Sequence, residues 1–298
     1  MARAKKDDKA INSAKSASRP RAGRLVIAVA LFVILAGAFA VALYFVRGVL
    51  LASPAYTNTA PRVSLGTSPA WLPKEISDLV TAKIQRAVDA QSIFENDLAR
   101  RVYDEAVKSP WIAAVNGVTK RRDGRIILEA DFRRPFVLVR RLRVDAGPLI
   151  VVDEDGVVLP LPLRAVRAGS FVTVDGVAGK PPAPGQVWEG LDLADGLRLM
   201  KLIRDARYLR DITVIDVRNH GGRINPADPH LIMVAQVGRG ARTNIRFGRF
   251  PIDGQYYCVA PAQKLASLDV IAEANNGHLA GVGPYIELRY DRAYVGQR

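Results

Sequence analysis

Residues 25–46 read LVIAVALFVILAGAFAVALYFV, without a single charged side chain. As a helix rising about 1.5 Å per residue the stretch extends roughly 33 Å, and a hydrocarbon core is about 30 Å thick. The segment on its N-terminal side is short and basic. The segment on its C-terminal side is long and patterned like folded protein. The reading is a single N-terminal transmembrane helix with the working part on one side of a membrane.

Orientation is set by the flanks. Arg3, Lys5, Lys6, Lys9, Lys15, Arg19, Arg21 and Arg24 precede the span and only Asp7 and Asp8 offset them; the single near cation beyond it is Arg47. An excess of cations marks the cytoplasmic side, so the N-terminus is expected inside and residues 52–298 outside. The competing reading is a cleaved secretory signal. The apolar region of such signals runs about 7–15 residues, shorter than this one, and Leu-Ala-Ser (51–53) is a weak cleavage site.

The formal charge is +14 over 298 residues; the tail 1–24 holds +6 of it and the rest +8. A basic extracytoplasmic surface fits anionic lipid or an acidic wall polymer, and equally an ordinary solvated, Arg-rich face. Nucleic acid is a poor candidate and not the expected partner: no binding motif appears, and the domain is expected on the wrong side of the membrane. With one cysteine, Cys258 in YYCVA, there is no internal disulfide, and stability must come from the core. The thiol itself is read as a small buried apolar side chain.

On either side of the span, 1–24 is a cytoplasmic basic tail unable to bury a core, and 47–69 is a Ser/Thr/Pro/Ala-rich linker, in which VSL (63–65) is a short strand candidate. The span itself is 25–46. Residues 70–140 form a small α+β module. Ile76, Leu79, Val80, Ile84, Ala87 and Val88 recur at helical spacing after Pro73. Ser92 and Glu95 match the S-x-x-E capping box ahead of a stripe Phe94, Leu98, Val102, Ala106. Runs 111–118 and 125–132 flank Asp123-Gly124, a hairpin signal.

Residues 141–298 form a mainly antiparallel β domain with two helices and five or six strands. A strand candidate at 136–144 leads in. Runs 149–152 and 157–161 flank the turn Asp153-Glu154-Asp155-Gly156. Residues 164–190 read as a loop. A helix carries Leu193, Leu197, Met200 and Ile203. Strands at 212–217, 230–237 and 242–247 precede a helix opened by Pro261 and closed by Asn275-Asn276-Gly277. In the last strand, 285–290, Ile286, Leu288 and Tyr290 alternate with Glu287, Arg289 and Asp291. The fold class is α+β.

No catalytic constellation stands out, so the expectation is a non-enzyme. Asp153, Glu154 and Asp155 read as a hairpin tip; only a wall-active hydrolase would need them as paired carboxylates. His220, His230 and His278 match no zinc spacing, and Gly238-Arg239-Gly240 lacks the Lys-Ser or Lys-Thr of a phosphate loop. Catalytic residues, metal, cofactor and small-molecule substrate are all expected to be none. The terminal strand offers another role: an edge that accepts a strand from a partner, with aromatic and Arg side chains as anchors. A fully paired core strand is the equal alternative.

Several short stretches together resemble the bacterial cell-division family FtsQ, called DivIB in Gram-positive bacteria. Ser109-Pro110-Trp111-Ile112, followed by the hairpin and Pro135, is similar to that family's "PW[VI]…V" and "E-x-x-P" stretch. Residues 151–157, VVDEDGV, resemble its "LVD-x-x-G" hairpin. Ile245-Arg246-Phe247-Gly248 with Lys264-Leu265 resembles "V-x-LG…KL", and Tyr285-Ile286-Glu287-Leu288-Arg289-Tyr290-Asp291 its terminal "IDLRY" strand. The resemblance covers most of 70–295 and lacks a clear "V-x-G" first strand. It implies a polypeptide-transport-associated (POTRA) domain over 70–140 and a β domain over 141–298. It further implies a divisome scaffold in the cell inner membrane, single-pass and septal, with a periplasmic domain. Such a scaffold pairs its last strand with an FtsB-like protein bound to an FtsL-like one, meets other divisome membrane proteins, and helps control septal peptidoglycan synthesis. The matching partner-binding residues are Arg289 and Tyr290, with Tyr285, Glu287, Asp291 and Tyr294 in or beside the motif. Another POTRA-like role, in transport or secretion, is the alternative.

Overall fold

The computed structural model describes residues 21–52, 61–89, 91, 93, 95–121, 123–142, 148–161, 171–251 and 258–297. Nearly all of the tail, part of the linker, Ser92 and Phe94 of the capping-box reading, and 164–170 of the expected loop lie outside them. Contacts divide the chain into two units. One holds residues 1–60 with 92–94, and the other residues 61–91 and 95–298.

The first unit is a helix, α1 (Arg21–Ala52). Within it Val26–Val49 has a mean hydropathy of 3.0 and buries nothing against protein, so this helix is long and apolar enough to cross a membrane.

The second unit is α+β, with two mixed sheets and four helices among its described residues. It opens with β1 (Arg62–Leu65), α2 (Lys74–Arg86), α3 (Leu98–Val107), β2 (Ile112–Lys120) and β3 (Arg125–Phe132). The three strands order β1-β3-β2. β2 and β3 are the antiparallel hairpin that Asp123-Gly124 predicts, with Gly124 at φ +82. β1 runs parallel to β3, Arg62 opposite Arg125. It comes from the stretch read as linker, so the small sheet reaches back to residue 62. Gln85 of α2 ties it down, its Oε1 accepting from Val63 N at 2.7 Å. Val80 and Ile84 of α2 and Leu98, Val102 and Ala106 of α3 bury the apolar stripes. α3 starts at Leu98, later than the capping box places it, and its N-cap Asp97 makes no side-chain cap bond.

The larger sheet comprises β4 (Val137–Arg141), β5 (Ile150–Val152), β6 (Val158–Leu159), β7 (Thr173–Val177), β8 (Ile212–Asp216), β9 (Leu231–Ala235), β10 (Thr243–Gly248), β11 (Tyr285–Glu287) and β12 (Tyr294–Val295). Its order is β12-β11-β10-β9-β8-β7-β4-β5-β6. Nine strands replace the five or six expected. β4–β7, β7–β8 and β10–β11 are parallel, which mixes a sheet read as mainly antiparallel. β4 begins at 137, so the chain enters the larger sheet just before the expected boundary at 141. β7 lies inside the expected loop 164–190. Its in-out alternation breaks at Gly176, φ +91, where the register against β4 shifts, so it lacks the pattern that marks a strand in sequence.

One face of this sheet carries the core. Val137, Val139, Val174, Ile215, Met233, Ile245, Phe247 and Ile286 point into it. α4 (Leu191–Ile203) adds Leu193, Leu199 and Ile203, and α5 (Pro261–Ala274) adds Leu268 and Ala272. Pro261 sits in the first turn, where its missing N–H costs nothing. Asn276 at φ +56 and Gly277 at φ +81 end the helix, as Asn275-Asn276-Gly277 predicts. Cys258 is only partly buried rather than a core residue, and its thiol donates to the Arg249 carbonyl at 3.4 Å.

Candidate functional site

β11 is no edge. It pairs with β10 on one side and, through Ile286↔Val295 and Glu287↔Tyr294, with β12 on the other. The expected strand 285–290 therefore stops at Glu287, and the outermost strand on this side is β12. The Gly296 N–H donates to the Tyr285 carbonyl at 2.9 Å. Backbone groups alternate along a strand, so Tyr294 and Gly296 turn theirs inward and Val295 presents its N–H and C=O at the open side. Among the described residues nothing pairs with that side.

Residues 288–293 form a bend between the two strands, built on a buried carboxylate. Glu287 is completely buried. Arg289 folds back onto it, Nε 2.8 Å from Oε1 and Nη2 3.0 Å from Oε2. Arg246 approaches within 3.5 Å. Burial by itself would raise the Glu287 carboxyl; the hydrogen bonds and charge of Arg289, with Arg246 behind, outweigh it and hold the group below its ordinary value. The same bonds raise the Arg289 guanidinium. Arg289 also donates to the Ala227 carbonyl at 2.7 Å, pinning the bend to the loop before β9.

The six residues singled out in the sequence thus separate. Glu287 and Arg289 are spent inside the protein. Tyr285 is half-buried, under the Arg246 guanidinium at 4.0 Å and edge-on to Tyr294 with ring centres 6.2 Å apart. Tyr290, 56% exposed, and Tyr294, 46% exposed, face outward. Asp291 is exposed, and its carbonyl accepts from Gln263 at 3.2 Å. The arrangement is an open strand edge with exposed tyrosines in β12 and in the bend before it, able to add a strand and offer it aromatic contacts. Sequence reasoning missed Val295, because a two-residue strand carries no periodicity, and Arg246, whose role depends on register.

The acidic turn expected at 153–156 joins β5 and β6. Asp153 Oδ1 accepts from the amides of Asp155 and Val157 at 3.0 and 2.7 Å, which commits it to the turn. Among the described residues no three His, Cys, Asp or Glu side chains converge to hold a metal ion. No protein-family model and no curated protein matches the chain.

Proposed function

We propose that the chain is a membrane-anchored scaffold of the bacterial division machinery that captures a strand from an FtsB-like protein, itself bound to an FtsL-like one, on the open side of β12. It helps recruit and control septal peptidoglycan synthesis from the inner membrane. The observation that carries the reading is the unpaired Val295 edge of β12, with exposed Tyr294 in that strand and exposed Tyr290 in the bend before it. The three-stranded sheet with its two helices then acts as the POTRA-like part, the nine-stranded sheet as the β domain, and neither performs catalysis.

Titrating the full chain, in detergent, with the extracytoplasmic segment of the host's FtsB-like protein tests this. Tyr290→Ala removes an exposed ring and should weaken binding roughly tenfold or more, the scale of an aromatic anchor. Val295→Pro removes the outward N–H together with a side chain that packs on the core, and should weaken it as much, with Val295→Ala as the control for the lost side chain. Affinity that neither Tyr290→Ala nor Val295→Pro changes would sink strand addition at β12. A fluorescent fusion that ignores the septum would favour the transport or secretion reading.

A further inference from the structure

Both readings leave the basic end of the three-stranded sheet without a role. β1 is parallel to β3, so its first residue lies beside the β2–β3 hairpin tip: Arg62 is opposite Arg125, and its N–H donates to the Gly124 carbonyl at 3.0 Å. The tip reads Lys120-Arg121-Arg122-Asp123-Gly124-Arg125. Lys120, Arg121, Arg125 and Arg62 are all exposed there. The end of α2 adds exposed Arg86, since the neighbouring Gln85 binds the Pro61 carbonyl at 2.6 Å. The acids nearby are Asp123, Asp89 and Glu95. Of these only Asp123 is paired with a cation, Arg125 at 2.7 Å; Asp89 accepts from the neutral Gln85 amide at 2.7 Å, and Lys120 donates to the backbone carbonyl of Glu95 at 2.6 Å, so five exposed cations face three carboxylates. Cations remain in excess.

Arg62 also opens the first strand described after α1, with nine residues of chain between Ala52 and it. At no more than about 3.6 Å per residue, ten steps of chain reach at most roughly 36 Å. The opposite end of β3 leads through Phe132 into the connection to β4. The connection is thus short enough for the cationic end to reach the surface that α1 enters.

Resting on the reading of α1 as a span, we propose that Arg62, Lys120 and Arg121 form a docking surface for the anionic headgroups of the membrane α1 enters. Fixed cations held near an anionic surface are drawn to it over about a Debye length, roughly 10 Å at 0.1 M salt. A lipid surface is favoured over a soluble polyanion because the tether, not free diffusion, supplies the encounter.

The test is amide hydrogen exchange of the full chain in nanodiscs of phosphatidylcholine alone and of phosphatidylcholine with about 30 mol% phosphatidylglycerol, a composition chosen to give an anionic surface. Amides of 118–126 should exchange several-fold more slowly in the anionic discs. The difference should vanish in high salt and in the triple variant Arg62→Gln/Lys120→Gln/Arg121→Gln, which spares Arg125 because it holds the turn. Equal exchange in the two compositions, or slowing that survives the triple variant, overturns the proposal. Slowing in neutral discs on adding a soluble acidic polysaccharide, with none from anionic lipid, overturns it in favour of a wall polymer. Flotation of the chain with neutral vesicles checks the anchor separately: if it floats and the tip does not respond, only the docking surface fails.

Discussion

Arg133 Nη1 lies 2.8 Å from Asp153 Oδ2 and so joins the connection between the two sheets to the β5–β6 turn. Asp153 is nearly buried and also accepts two backbone amides, whereas Arg133 is more exposed. Losing the carboxylate strands three donors; losing the guanidinium strands one acceptor that keeps its amides. Asp153→Ala should therefore cost about 2–4 kcal/mol and Arg133→Ala about half of that. Urea unfolding of the full chain in detergent, followed by tryptophan fluorescence, reads both.

Arg289→Ala should behave as a stability variant rather than a clean binding variant. It leaves Glu287 buried with only Arg246 nearby, a cost of about 3 kcal/mol or more. Tyr290→Ala, at an exposed ring, should unfold within about 0.5 kcal/mol of the parent. Side-by-side denaturation curves separate the two; equal curves would mean the arginine is not needed to satisfy the carboxylate.

The pH dependence of the bend has a definite sign. Glu287 sits below its unfolded value of 4.5, so its contribution is present above 4.5 and lost as pH falls through the lower folded value. Replacing Glu287 by Gln should flatten acid unfolding in that window, at the cost of an unsatisfied Arg289 at neutral pH. Unfolding midpoints followed from neutral pH down through and below 4.5 check it.

Lys264 gives the opposite lever. It is almost wholly buried and donates to the Phe247 and Arg249 carbonyls at 2.7 and 3.1 Å. Burial depresses its pKa below 10.5, so the charge costs stability at neutral pH, and the cost is relieved as pH rises from the folded value towards 10.5. Lys264→Met should rise less in stability than the parent over that interval.

Gly196 lies on the face of α4 that meets the sheet. A Cβ there would come 2.8 Å from Val174 and 3.4 Å from Val217. Alanine would gain about 1 kcal/mol of helix propensity, yet the overpacking costs about 1–3 kcal/mol. Gly196→Ala should thus lower the melting temperature, whereas a gain would mean the helix can shift away from β7.

What could be read from the residues was local. Asp123-Gly124, Pro261 and Asn275-Asn276-Gly277 each fix a backbone conformation through their own chemistry, and the hairpin and helix ends stand at those positions. What depended on distant partners was not legible. β1 has four residues and pairs with a strand more than 60 residues away. β7 carries Gly176 at φ +91 beside a register shift against β4, so its alternation breaks in mid-strand. At the site, the motif around Tyr290 was visible, but whether Arg289 points out or folds onto Glu287 depends on how deeply the strand is buried.

The two-pair ladder between β11 and β12 has a mechanical consequence. A pull applied at β12 across the strands meets the β11–β12 ladder first. That outermost ladder has two residue pairs, while β10–β11 has three and β9–β10 five. Under such a pull β12 should peel away before any core strand opens, making this edge a fuse that limits the force reaching the fold.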